Sequence, residues 1–176
     1  MQHRLPDRVD PHALARGERT LAGAVPVAAL ERLRPLLAAR EGELDVELHF
    51  GQDDSGRALV TGHVTGAVTL TCERCLGELQ QTLDLRLRLG LVDSEARVAE
   101  VPAESEPLVV AQGDRIAPAD LVEDEILLSL PMFPMHAEPC SALGEGRQAP
   151  GAEEQDRQRE NPFAVLAQLK SNQEQE

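Results

Sequence analysis

Aromatic side chains are nearly absent: the 176 residues include no Trp, no Tyr and three Phe. A core must therefore be filled by Leu, Val, Ile and Ala. Single-stranded RNA binders stack bases on aromatic rings, each base contributing about 1–3 kcal/mol, and three scattered Phe do not supply such a platform. Lysine is almost missing too. Of 17 basic residues only Lys170 is not Arg, and the basic side chains form no cluster of the kind that neutralises phosphates. With 31 acidic residues the formal net charge is −14, so direct RNA binding is expected to be weak or indirect. A basic protein partner fits the charge better, with simple solubilisation as the plain alternative. No apolar run reaches the length of a membrane span, and the opening MQHRLPDRVDP lacks the apolar stretch of a signal peptide. The three Cys are odd in number and lack the spacing of a secreted disulfide framework. A reducing, cytoplasmic setting without membrane attachment is the expectation. There is also no Ser/His/Asp set, phosphate loop or dinucleotide fingerprint, so neither catalysis nor a small-molecule substrate is expected.

What is present is periodicity. Leu44, Val46, Leu48 and Phe50 alternate with Asp45, Glu47 and His49, the pattern of a half-buried strand. Ala58, Val60, Val64, Val68 and Leu70 share one parity with Gly62 and Gly66, which predicts a second strand with a bulge or close backbone approach at the glycines. Leu83, Leu85, Leu87, Leu89 and Leu91 alternate with Asp84, Arg86 and Arg88, so a long antiparallel hairpin is the simplest arrangement, with the leucines facing the core. Residues 20–25 and 107–110 suggest shorter strands. Asp10-Pro11 followed by Gly17 reads as a capped short helix. Val27–Ala39 reads as a helix broken near Arg34 by Pro35. Residues 93–106 read as an acidic loop. A helix is predicted over 120–130, with Asp120 and Glu123 resembling a capping box and Pro131 as its stop. On its wheel Glu125 falls between Leu121 and Val122 and calls for a partner such as an Arg, whereas Glu123 and Asp124 point away as a solvated helix start. Residues 141–160 have little to bury and read as a flexible linker. It leads to an amphipathic segment, 161–176, in which Asn161 caps, Pro162 opens the helix, and Pro162, Val165, Leu166 and Leu169 form a stripe with Phe163 beside it. Ten such residues do not make a stable helix alone, so the stripe either completes the core or contacts a partner. The whole describes an α+β fold. A mainly antiparallel sheet with a long hairpin packs with a few short helices in a single domain, 1–140.

One constellation carries chemistry. Cys72-Glu73-Arg74-Cys75-Leu76-Gly77 sits where the hairpin turns. Two Cys spaced by two residues can aim both sulfurs at one metal, and a glycine after them permits the bend that frees backbone amides. His136 and Cys140, about sixty residues on, would complete a Cys3His zinc set. The pair also reads as ordinary packing in a turn, or less well as a redox pair, which usually sits at a helix N-terminus. Zinc is thus the one cofactor the sequence admits, and none is required by it. Between helix and His136 lies Leu130-Pro131-Met132-Phe133-Pro134-Met135, which serves equally as an exposed ridge for a partner or as chain closing over the core.

Three segments in order, VTLTCERCLGEL (68–79), DLVEDEILLSLPMFPMH (120–136) with Cys140, and NPFAVLAQLK (161–170), resemble the bacterial YceD family. The resemblance implies a role in synthesis, processing or stability of 23S ribosomal RNA. Family genes commonly lie beside one for a large-subunit ribosomal protein. It implies no catalytic residues. Some relatives carry further Cys after the Leu-Pro segment, where this chain has Cys140 alone. The expectation is a non-enzymatic ribosome-biogenesis factor acting through contacts with a basic ribosomal or assembly protein. A small zinc- or thiol-dependent protein built on Cys72 and Cys75 is the alternative.

Overall fold

The computed structural model describes residues 4–140. The predicted linker over 141–160 and the segment with Pro162, Phe163, Val165, Leu166 and Leu169 lie outside the described residues. Helix α1 (Pro11–Arg16) is followed by strands β1 (Arg19–Pro26), β2 (Leu37–Ala39), β3 (Glu43–Gln52), β4 (Ala58–Thr71), β5 (Glu78–Val92) and β6 (Glu106–Val109), then helix α2 (Pro118–Ser129). The sheet runs β1-β3-β4-β5-β6, with β2 also paired to β4. β4 and β5 stay in register from Leu59↔Gly90 to Thr71↔Glu78. β3 covers β4 only as far as Thr65, and β2 takes up the same edge further on, at Thr69 and Leu70. The far end of the hairpin thus projects past most of the sheet.

The alternation seen in the sequence decides the faces. Leu44, Val46, Leu48 and Phe50 of β3, Val60, Val64, Val68 and Leu70 of β4, and Leu83, Leu87 and Leu89 of β5 are buried in one cluster. Val27, Leu30, Leu33, Ala15 of α1, and Leu121, Val122 and Ile126 of α2 join the same cluster and cover that face. Leu85 is half-buried and packs against it. Among the described residues, Phe50 is the one Phe in this core, which is otherwise aliphatic. The two in-parity glycines mark close approaches: a Cβ on Gly62 would lie 2.6 Å from Leu48 Cδ2, and one on Gly66 2.7 Å from Leu44 Cδ2. The absent side chains make room for leucines of the neighbouring strand. α1 follows its sequence signals, with Asp10 accepting from the Ala13 N–H (2.9 Å) and Gly17 as C-cap.

Two expectations need correction and one is refined. Residues 27–39 form two single 3-10 turns, Val27–Ala29 and Arg34–Leu36, and then β2 rather than a helix. Pro35 lacks a donor, and the Leu33 N–H is taken by the Glu123 carboxylate (2.9 Å) instead of a helical carbonyl. The sheet is antiparallel at β1-β3, β3-β4, β2-β4 and β4-β5, and is mixed only in that β6 runs parallel to β5. A parallel neighbour needs a crossover of about a dozen residues. The acidic stretch 93–105 supplies one, including a 3-10 turn (Glu95–Glu100) braced by Arg97 on Asp93 and Glu100. Lastly, α2 begins at Pro118 and has no side-chain cap. Asp120 and Glu123 form no capping box, since Glu123 is only 4% exposed and turned inward. No helix among the described residues is long and apolar enough to cross a membrane.

Candidate metal centre

β4 leaves its ladder at Cys72. The Cys72 N–H donates to the Gly77 carbonyl (2.9 Å) and its own carbonyl accepts from Leu76 N–H (2.8 Å), which closes residues 72–77 into a tight loop. The left-handed residue in this loop is Leu76, with φ 58°, not the glycine after it. The loop leaves Cys72 fully buried and Cys75 half-buried.

The second half comes from the chain beyond α2. Leu130 turns extended, as Pro131 requires of the residue before it. Pro134 is buried and its carbonyl accepts the Glu73 N–H (2.8 Å), so this segment is pinned to the hairpin tip. His136 and Cys140 then reach the loop. Cys140 Sγ lies 3.6 Å from Cys72 Sγ and 3.1 Å from His136 Nδ1, and Cys75 Sγ lies 3.6 Å from the same nitrogen. The four ligand atoms all fall within 4.8 Å of one another. All four residues predicted as a metal set are therefore brought together. Ligands at about 2.3 Å (sulfur) and 2.0–2.1 Å (nitrogen) around tetrahedral zinc stand roughly 3.6–3.8 Å apart, so the cluster has close to that size.

Two neighbours complete the electrostatics. His136 Nε2 lies 2.9 Å from the Glu78 carbonyl oxygen. A carbonyl only accepts, so Nε2 carries the proton and Nδ1 turns its lone pair to the sulfurs. Arg74 Nη1 donates to the Glu138 carbonyl (3.2 Å) and lies 4.0 Å from Cys140 Sγ. Burial would raise the Cys72 thiol, but the N–H groups of Cys75, His136 and Arg74 and the Cys140 thiol converge on it and hold it at about 5. Burial, with the Cys72 and Cys75 side chains alongside, pushes Cys140 up. One sulfur thus ionises readily, and its charge opposes ionisation of the next. Sequence reasoning missed Arg74 and the Glu78 carbonyl. A backbone acceptor leaves no trace in a sequence, and Arg74 looked like any surface charge.

Near the cluster, exposed apolar side chains stand among the exposed charges of Glu73, Arg74, Glu78 and Glu138. Met132 is 86% exposed and Phe133 65%, with Met135 and Leu76 exposed as well. The Met132–Met135 stretch is a ridge, except for Pro134, which faces inward.

A family model described as "Large ribosomal RNA subunit accumulation protein YceD" matches residues 60–170. A protein of that name from Haemophilus influenzae is 31% identical over 168 residues, 95% of this chain and 97% of that one. The chain belongs to the YceD family. No solved structure matches it. The YceD match begins within β4 and so spans both halves of the cluster, Cys72 and Cys75 as well as His136 and Cys140.

Proposed function

We propose that the chain supports accumulation of the 23S RNA of the large ribosomal subunit as a non-enzymatic factor of the cytoplasm, and that it acts by binding a basic ribosomal or assembly protein. The observation that carries the contact is the exposed ridge of Met132, Phe133 and Met135, with Leu76 nearby on the hairpin tip. Apolar side chains concentrated at one place on a surface favour a protein contact. The net charge of −14 favours a basic partner and speeds encounter with it. The family's description supplies the RNA, and the charge makes contact with that RNA indirect.

The test is complementation. Deleting the gene is expected to lower 23S relative to 16S RNA, and the wild-type gene to restore it. A Met132→Ser/Phe133→Ser double variant, with unchanged melting temperature because both positions are exposed, is expected not to restore it. Full restoration by that variant would remove the ridge from the mechanism. In a second measurement the purified protein's affinity for 23S fragments should be weak, with no steep dependence on salt.

A further inference from the structure

We infer that the open edge of β5, residues 80–88, receives an extended segment of the partner protein as an added strand. Backbone hydrogen bonds hold it, together with an Arg or Lys that it brings to Glu106 and Glu125. β4 accompanies β5 on one side from Glu78 to Gly90. On the other side β6 begins only opposite Leu89, and among the described residues no strand lies beside β5 before that point. The Val92 carbonyl accepts from the Val110 N–H on this second side. Residues two apart in a strand turn their backbone groups the same way, so the N–H and C=O of Gln80, Thr82, Asp84 and Arg86 face the open side. His136 at the Glu78 carbonyl closes the edge at one end, and β6 closes it at the other. Between them the Thr82 carbonyl accepts only the side-chain amide of the adjacent Gln81 (3.1 Å). At about 3.4 Å per residue the slot is about 27 Å long.

The side chains around the slot describe what fits it. Leu85 is half-buried, whereas Leu83 and Leu87 on the same face of β5 are buried. A neighbouring strand with apolar residues on that face continues the core over the flank of Leu85. Glu106, the register partner of Leu89, lies on that face too. Glu125 of α2 is half-buried, and burial together with the Glu106 charge pushes its carboxyl up. Neither carboxylate takes part in an ion pair among the described residues. A half-buried acid beside a second acid is stabilised by a cation, and the core-face side chain of an added strand reaches this pair from the β6 end of the slot. On the opposite face the alternating charges of Asp84, Arg86 and Arg88 are exposed, which disfavours strands that do not match them. The segment that fits is therefore extended, apolar at alternate positions and basic next to β6. The inference rests on the reading of a basic protein partner and gives that partner a contact separate from the ridge.

The experiment uses the full chain and, as probe, a synthetic peptide of about nine residues that alternates Val and Thr, with one Arg on the Val face near each end. Adding it is expected to slow hydrogen exchange at the Asp84 and Arg86 amides and to leave the rest of the sheet unchanged. By fluorescence anisotropy, replacing both Arg of the peptide by Glu, or making Glu106→Gln/Glu125→Gln in the protein, is expected to weaken binding about tenfold or more. Asp84→Pro removes an outward N–H and is expected to abolish binding and to fail in the complementation assay. Because Pro can also disturb the ladder to β4, a second arm leaves the protein untouched: the peptide N-methylated at alternate residues is expected not to bind. Unchanged exchange at Asp84 and Arg86 under saturating peptide overturns the edge, as does equal binding of the N-methylated peptide. Slow exchange at both amides in the peptide-free monomer also overturns it, because the chain then covers its own edge; the same protection in a dimer gives the edge to a second copy instead. Met132→Ser/Phe133→Ser is expected to bind the peptide like wild type. Peptide binding with full complementation by that variant drops the ridge alone, and failed complementation by it with no peptide binding drops the edge alone.

Discussion

Leu76 combines two properties that a purely structural residue would shed: a left-handed backbone and a side chain 76% exposed. The left-handed region costs a residue with a Cβ about 1–2 kcal/mol, and such outliers persist where the surroundings impose them, often at sites of function. Gly removes that cost but brings about 0.5–1 kcal/mol of extra chain entropy. Leu76→Gly is therefore expected to melt at or slightly above wild type. Leu76→Val, β-branched and poorly suited to positive φ, should lose about 1–2 kcal/mol. Chemical denaturation of the three proteins checks the order, and a Val variant as stable as Leu would show that the loop relaxes. At this scale the sequence was informative where a residue's chemistry acts through its own backbone: Asp10 as cap, Gly62 and Gly66 as gaps, Cys72 and Cys75 as a pair. It put the bend of the tip at Gly77, whereas the left-handed conformation falls on Leu76, whose N–H closes back on the Cys72 carbonyl.

Among the elements, α2 and the turns over 27–36 show what periodicity cannot reach. The wheel put Glu125 at the apolar margin, and Glu125 is half-buried. The same wheel turned Glu123 to solvent, whereas it accepts from Leu33 N–H at 2.9 Å and from Arg32 Nε at 3.1 Å, about ninety residues away in the chain. A segment that folds over the edge of a helix rewrites the burial of that edge, and only tertiary structure reveals it. The long strands were legible because each carries its own alternation. β6 was legible as a strand but not as a parallel one, since four residues say nothing about their neighbour. Removing the Glu123 carboxylate leaves a buried backbone N–H without its acceptor, so Glu123→Ala should cost about 2–3 kcal/mol. Arg32 is half exposed and its ion pairs with Glu123 and Asp124 are screened; Arg32→Ala should cost less than about 1 kcal/mol. Urea melts of both variants test the order, and the reverse order would assign the clamp to the ion pair.

For the molecule as a whole, charge of one sign sets the response to pH. Glu125 is pushed above the ordinary value of 4.5 by burial first, then by the charges of Glu106 and Asp124. A raised folded-state value means that stability from this group is fully present below the unfolded value and is lost as pH climbs through the folded one. Glu125→Gln should accordingly flatten the decline in stability between about pH 4.5 and neutrality. Denaturant midpoints across that range measure it, and an unchanged slope would place the repulsion elsewhere. Connectivity adds a consequence in time. Cys72 and Cys140 are 68 residues apart, with β5, β6 and α2 between them. At about 5–20 residues per second on the ribosome, the first half of the cluster waits roughly 3–14 s for the second to be synthesised. A nascent chain stalled before Met132 carries an unpaired Cys72–Cys75 loop and no Met132–Met135 ridge. The proposed docking surface is therefore completed in a single late step, and products of translation abandoned before Met132 lack it.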